Sequence, residues 1–203
     1  NVTAVVAQVP HLSGKAASLV SSASRGKVAT LRLAVAGVYD WLRAQLGLPP
    51  AYVRLVGRHG EVAFMALTQP EMDAYYAKHP ATKEGGWRNQ AAARLALEAP
   101  GYSPMTGLPN ITAPVMFIAA KQDSLCPYET VRLGAALVTK GQLVSYDVDH
   151  FSLYIGQVWE DVVSTTLAFM CEVTGHTCPE AEEGEPGYNT QTRPLSFTQG
   201  QEG

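Results

Sequence analysis

No stretch of this chain approaches about 18 consecutive uncharged apolar residues, so no membrane span and no membrane partner are expected. Runs of lysine or arginine are missing too, and a formal net charge of −3 gives no electrostatic reason to expect nucleic acid. The N-terminus has no basic start followed by an apolar block, hence no signal peptide is expected. Cysteine is scarce. Cys126, Cys171 and Cys178 are too few to staple a fold and are not spaced as zinc ligands. Three reduced thiols in a cytosolic protein are the favoured expectation, with a Cys171–Cys178 pair in an oxidising compartment as the alternative. Asn-x-Thr triplets at Asn1 and Asn110 lean towards secretion, so a cytoplasmic location is expected without secretion being excluded. His11, His59, His79 and His176 form no metal-ligand cluster, and no cofactor is implied.

Apolar residues, by contrast, are plentiful. At 46% hydrophobic and 16% charged, the 203 residues can build a core as one domain or as a fragment of a somewhat larger one. The most informative stretch runs from Val115 to Phe151. Val115–Ala120 (VMFIAA) is wholly apolar and suits a strand buried on both faces. Asp123 follows in the turn at its C-terminal end. Pro127 is placed for a first helical position, Glu129 favours a helix N-terminus, and Gly141 is expected to close the helix after Lys140. Leu143–Val148 then reads as a second strand, ending at His150. Asp123 and His150, 27 residues apart, thus fall beyond the carboxyl ends of two parallel strands, where open α/β sheets bind ligands. An imidazole oriented by a carboxylate is two-thirds of a nucleophilic triad.

On these residues the chain resembles the C-terminal part of an α/β-hydrolase-fold enzyme, whose triad runs Ser, Asp/Glu, His. KQDSLCP is similar to that superfamily's acid loop, and DHFSLY to its histidine loop. The flavour is that of dienelactone-hydrolase-like esterases and fungal polyketide transferases, over most of residues 1–172. The resemblance implies a doubly wound parallel sheet, Asp123 and His150 as catalytic acid and base, and a small-molecule acyl substrate. It also exposes a departure. The superfamily sets its serine in a G-x-S-x-G elbow, and no G-x-S-x-G occurs here. Ser13 and Ser145 lack that context, and the oxyanion hole is missing with the elbow. Residues 1–10 (NVTAVVAQVP) resemble the strand after the nucleophile's helix, so the chain is expected to be the second half of a larger hydrolase or acyltransferase. A non-catalytic binding module is the rival expectation.

The remaining chain is read around that frame. Val2–Val9 is a strand candidate; with no preceding half it would leave an exposed apolar edge, inviting self-association or pairing with an N-terminal half. Residues 11–86 resemble an inserted, mainly helical cap. Within them Lys27–Leu46 carries a stripe at Leu31, Val35, Val38 and Leu42, which would line an acyl site or pack on the core. Tyr52–Val56 and Val62–Leu67 flank GRHG as a hairpin, and Glu71–Lys78 forms a short helix. Residues 87–174 return to the core: a helix over Asn89–Ala99, a Pro- and Gly-punctuated loop, then the two strands and a last helix over Gly156–Val173 stopped by Gly175. Residues 175–203 are expected to be a disordered tail.

Among single residues, Asp147 and Asp149 compete with Asp123 but belong to the strand end before His150 and are expected to cap or face solvent. Cys126 stands at a helix N-terminus, which would lower its thiol pKa, yet it is read as a packing residue. His11 is read as a loop histidine, with substrate contact the alternative. Trp41, Tyr75, Tyr76 and Trp87 are core aromatics by default and pocket walls otherwise.

Overall fold

The structure is a computed structural model that describes residues 2–78 and 86–178. Its centre is the expected apolar strand, β5 (Val115–Ala120), all six of whose residues are buried. It pairs in parallel with β1 (Val5–Gln8) on one side and with β6 (Gly141–Tyr146) on the other. Alternation along β5 divides the core in two. Val115, Phe117 and Ala119 face helix α5 (Tyr128–Leu137), meeting its Val131 and Ala135. Met116, Ile118 and Ala120 face helix α6 (Gly156–Thr174), meeting its Val162 and Phe169. A strand covered by helices on both faces needs apolar residues at every position, which is the pattern VMFIAA carries. The architecture is therefore α/β, part of a doubly wound parallel sheet.

Several boundaries in this core differ from expectation: β1 is Val5–Gln8 and not Val2–Val9, and β6 is Gly141–Tyr146 and not Leu143–Val148. The helix after Asp123 ends at Leu137, and Gly141 opens β6 instead of closing the helix. A side chain at Gly141 would collide with the Ala135 carbonyl, so glycine serves close approach of strand to helix end. Pro127 is the N-cap, one residue outside the helix. The last helix ends as expected: Gly175 takes the left-handed conformation (φ 68°) and its N–H bonds the Cys171 carbonyl. Cys171 and Cys178 form a disulfide, which corrects the expectation of three reduced thiols and leaves Cys126 as the free cysteine.

Residues 14–78 hold helices α1 (Gly14–Arg25), α2 (Lys27–Gln45) and α3 (Gln69–Lys78) with strands β2 (Tyr52–Arg58) and β3 (Ala63–Leu67). The sequence reading missed α1, although Ser13 caps it by accepting the Ala16 N–H. The GRHG hairpin is not formed: β3 runs parallel to β2, with Arg54 opposite Ala63 and Arg58 opposite Leu67. The Glu61 carboxylate takes the Arg58 N–H and the Arg54 guanidinium, both at 3.0 Å, folding the link back along β2 before β3 begins. The helix expected over Asn89–Ala99 is not formed either. Ala91–Ala92 (β4) pairs antiparallel with β2, and only one helical turn follows, α4 (Leu95–Glu98). Alanine content favoured helix there, but ordering β4 against β2 prevails, a tertiary override of propensity.

The α2 stripe also lies on the other face. Leu31 and Val35 are 66% and 62% exposed, whereas Leu33 is 4% exposed and lies inward with Ala29, Gly37 and Asp40. Gly37 lets α2 approach Ala93 and Leu97, where an added Cβ would meet atoms at 3.1 and 3.2 Å. Asp40 at the same seam binds Arg94 at 2.8 Å, the Arg94 N–H at 2.9 Å and the Ala51 N–H at 2.6 Å. These bonds, the Arg94 side chain foremost, hold the Asp40 carboxyl down at about 2. No helix among the described residues is long and apolar enough to cross a membrane. Of the tail expected over 175–203, residues 175–178 are held by the Gly175 cap and the Cys171–Cys178 bond, and the rest lies outside the described residues.

Candidate active site

The sheet brings Asp123 and His150 together by continuing its ladder past the strand ends. The Lys121 N–H bonds the Tyr146 carbonyl (2.8 Å) and the Gln122 N–H bonds the Val148 carbonyl (3.0 Å). The acid turn then folds on Asp123 itself, whose Oδ1 accepts the backbone N–H groups of Leu125 and Cys126, each at 2.7 Å. Its other oxygen, Oδ2, lies 2.8 Å from Nδ1 of His150. The Asp123 side chain is fully buried, and that of His150 is 16% exposed.

The histidine loop is shaped by Asp149. Its carboxylate accepts the N–H groups of Phe151 (2.9 Å) and Ser152 (3.0 Å) and the Ser152 hydroxyl (2.7 Å). Asp147 accepts an N–H of the Gln122 amide at the surface. Both rivals of Asp123 are thus occupied elsewhere. Buried Leu153 pins the loop into the core beneath α6, and the rings of Phe151 and Tyr154 stand 5.0 and 6.3 Å from that of His150.

Cys126 is buried against Val56, Leu67 and Leu125. Burial, with the Asp123 charge adding to it, pushes its thiol up to about 12, opposite to the lowering expected from a helix N-terminus. Desolvation of a thiolate outweighs the partial charge of the helix end here. Ligand atoms of Asp123, Cys126 and His150 all lie within 4.8 Å of one another, a spacing compatible with a metal ion. Both Asp123 oxygens are already engaged, by the Leu125 and Cys126 N–H groups and by His150, which disposes them poorly for one. The arrangement suits proton transfer better than ligation.

His150 faces a cavity of about 540 Å³ that runs between α1, α2 and β3 and also meets Cys126, Met65, Leu33 and Arg25. His11 lies at this cavity, stacked on Tyr102 at 5.8 Å. A smaller cavity of about 180 Å³ adjoins Phe151, with Tyr76, Trp87 and Met72 in its wall. Trp41 is 47% exposed on α2 and lines neither cavity, and the Tyr75 side chain lies outside the described set. Arg25 was not singled out in the sequence, where a lone arginine before a glycine carries no signal.

No protein-family profile matches the chain. It is 29% identical over 167 residues to the quorum-quenching protein AidA of Acinetobacter baumannii (strain MDR-ZJ06), covering 82% of this chain and 53% of that protein. Among solved structures, it superposes on the α/β hydrolase GrgF from Penicillium sp. sh18 with a TM-score of 0.55 at 15% identity, over 86% of this chain and 56% of that one. A monoacylglycerol lipase from Paleococcus ferrophilus gives a TM-score of 0.55 at 13% identity, over 85% and 60%. The chain spans little more than half the length of each protein it matches. With a parallel β1-β5-β6 sheet, helices on both its faces and these structural neighbours, the chain carries the α/β-hydrolase fold.

Proposed function

We propose that this chain supplies the acid and base of a serine-dependent acyl transfer, hydrolysing an ester or thioester of a small acyl substrate. The observation that carries this is the 2.8 Å contact between Asp123 Oδ2 and His150 Nδ1, with His150 in the wall of a large cavity. With Nδ1 engaged by the carboxylate, Nε2 is the nitrogen left to take a proton from a nucleophile and return it to the leaving group. Asp123 holds the tautomer and stabilises the imidazolium that forms. Two backbone N–H groups on Oδ1 fix the carboxylate in position for this.

The serine and the oxyanion donors would come from polypeptide outside this chain, which contains no G-x-S-x-G and covers about half of its relatives. That polypeptide would add strands against β1, whose outer edge has no partner among the described residues. Residues 14–78 would act as the cap over the substrate. Supporting this, Leu33, Met65 and Arg25 share a cavity with His150. An alcohol in place of water would turn the same residues to acyl exchange. The Acinetobacter relative is named for quorum quenching, so small signalling molecules would be among the first substrates to assay.

The test uses the complete natural polypeptide and a panel of chromogenic esters. His150→Ala should lower kcat/KM by on the order of 10³-fold or more with the fold intact by circular dichroism. Turnover within a few-fold of wild type would sink the assignment.

A further inference from the structure

Arg25 is 6% exposed, yet it makes no ion pair with a carboxylate among the described residues. Its Nε–H donates to the Ala63 carbonyl (2.6 Å), and an Nη2–H donates to the Phe64 carbonyl (2.5 Å). A guanidinium has five coplanar N–H donors, so these two bonds leave three, two of them along the edge formed by Nη1 and Nη2. Two neutral carbonyls do not balance a buried charge, and burial lowers the Arg25 pKa. Arginine nevertheless stays protonated. Arg94 makes the contrast: where a half-buried arginine has a structural task in this protein, a buried aspartate, Asp40, is set against it.

The surroundings of Arg25 are those of an anion site. The cavity of about 540 Å³ that Arg25 lines has Lys15 and His11 at its exposed rim and, among the described residues, no aspartate or glutamate in its wall. The hydroxyl of Thr30, in the same wall, is buried and has no hydrogen-bond partner. An unpaired buried hydroxyl is costly unless something arrives to bond it.

We propose that Arg25 anchors an anion subsite in this cavity, and that the acyl substrate presents a carboxylate to it. The planar fork of Arg25 suits a carboxylate taken in bidentate fashion, with Thr30 donating to the same group. The substrate class is then the half-ester or half-thioester of a dicarboxylic acid. The serine oxygen bonds the acyl carbon as the carbon–oxygen or carbon–sulfur bond breaks and the alcohol or thiol leaves with the serine's proton. Water then cleaves the acyl–serine ester, returning a proton to the serine and releasing the dicarboxylate and one proton. The carboxylate anchor stands on cavity chemistry, whereas the acyl part rests on the acyl-transfer function proposed above.

The complete polypeptide is assayed with p-nitrophenyl monoadipate and with p-nitrophenyl hexanoate, acyl groups of equal length that differ in the terminal charge. The wild type should prefer the adipate half-ester in kcat/KM. Arg25→Gln should raise KM for the adipate half-ester about ten- to a hundredfold more than it raises KM for the hexanoate, the usual weight of a hydrogen-bonded charge. Preference of the wild type for hexanoate, or equal losses on both esters, would overturn the subsite. The wild-type preference decides the matter if Arg25→Gln fails to fold. If neither ester is turned over, acyl transfer fails by itself, and calorimetric titration with adipate reads the subsite alone: binding lost in Arg25→Gln supports it, and no binding to wild type ends it. Tighter competition by inorganic phosphate than by adipate would also overturn the carboxylate assignment.

Discussion

Nδ1 of His150 lies 2.8 Å from Oδ2 of Asp123, although the two residues are 27 positions apart. The pairing is built from backbone. Parallel β5 and β6 end level with each other, the ladder runs two hydrogen bonds further, and each loop then closes on its own aspartate, Asp123 in one and Asp149 in the other.

Asp123→Asn keeps an oxygen for the Leu125 and Cys126 N–H groups but offers His150 no negative charge. In the complete protein it should lower kcat by roughly 10³- to 10⁴-fold with a much smaller change in KM, read by steady-state kinetics beside a melting curve. A loss confined to KM would contradict the acid's role.

The Asp40–Arg94 lock predicts an acid limb of stability. Asp40 is held down from its ordinary 3.8 to about 2, so its contribution is present in full above the unfolded value and is lost as pH falls through the folded one. Denaturant titrations should therefore show the difference between wild type and Asp40→Asn constant from neutral pH to about 5, then shrinking towards pH 2. A difference that grows on acidification would refute this account.

The two faces of α2 make opposite predictions. Leu33→Ala empties a buried site and should cost about 2–5 kcal/mol. Leu31→Glu changes a residue that is 66% exposed and should stay within roughly 0.5 kcal/mol. Equal costs in denaturant unfolding would mean that the outward stripe is covered.

Thiol chemistry should follow the cysteine pairing. Native protein at pH 8 should take up no iodoacetamide, because the Cys126 thiol is buried and pushed up to about 12. Denaturation without reductant should expose Cys126 alone, and reduction should open Cys171 and Cys178 as well. Intact mass reads each step, and native alkylation at Cys126 would show that its burial is overstated.

Where the chain's local pattern and its tertiary demand coincide, the sequence is legible. VMFIAA is apolar at every position because both faces of β5 are covered, so its bounds were read to the residue. Gly175 and the run before it made the end of α6 equally plain. That Asp123 and His150 meet was legible because each follows an apolar strand at its carboxyl end. Misreadings arose where two local solutions compete. Lys27–Gln45 has an outward stripe of large residues and an inward one of Ala29, Leu33, Gly37 and Asp40, and size favoured the wrong one. Gly141 looks like a helix stop, and only its closeness to the Ala135 carbonyl shows what it does.

By itself, then, the sequence determined the α/β class, the central strand, its order with the acid and the histidine, and the last helix. Each of these depends on residues near in the chain or on a burial pattern with one solution. Tertiary structure alone decided the parallel course of β3, the pairing of β4 with β2, the Cys171–Cys178 bond, the protonated state of Cys126 and the burial of Arg25 beside His150's cavity. Those depend on which distant groups exclude water from a charge or complete a backbone hydrogen bond, and no local pattern records that.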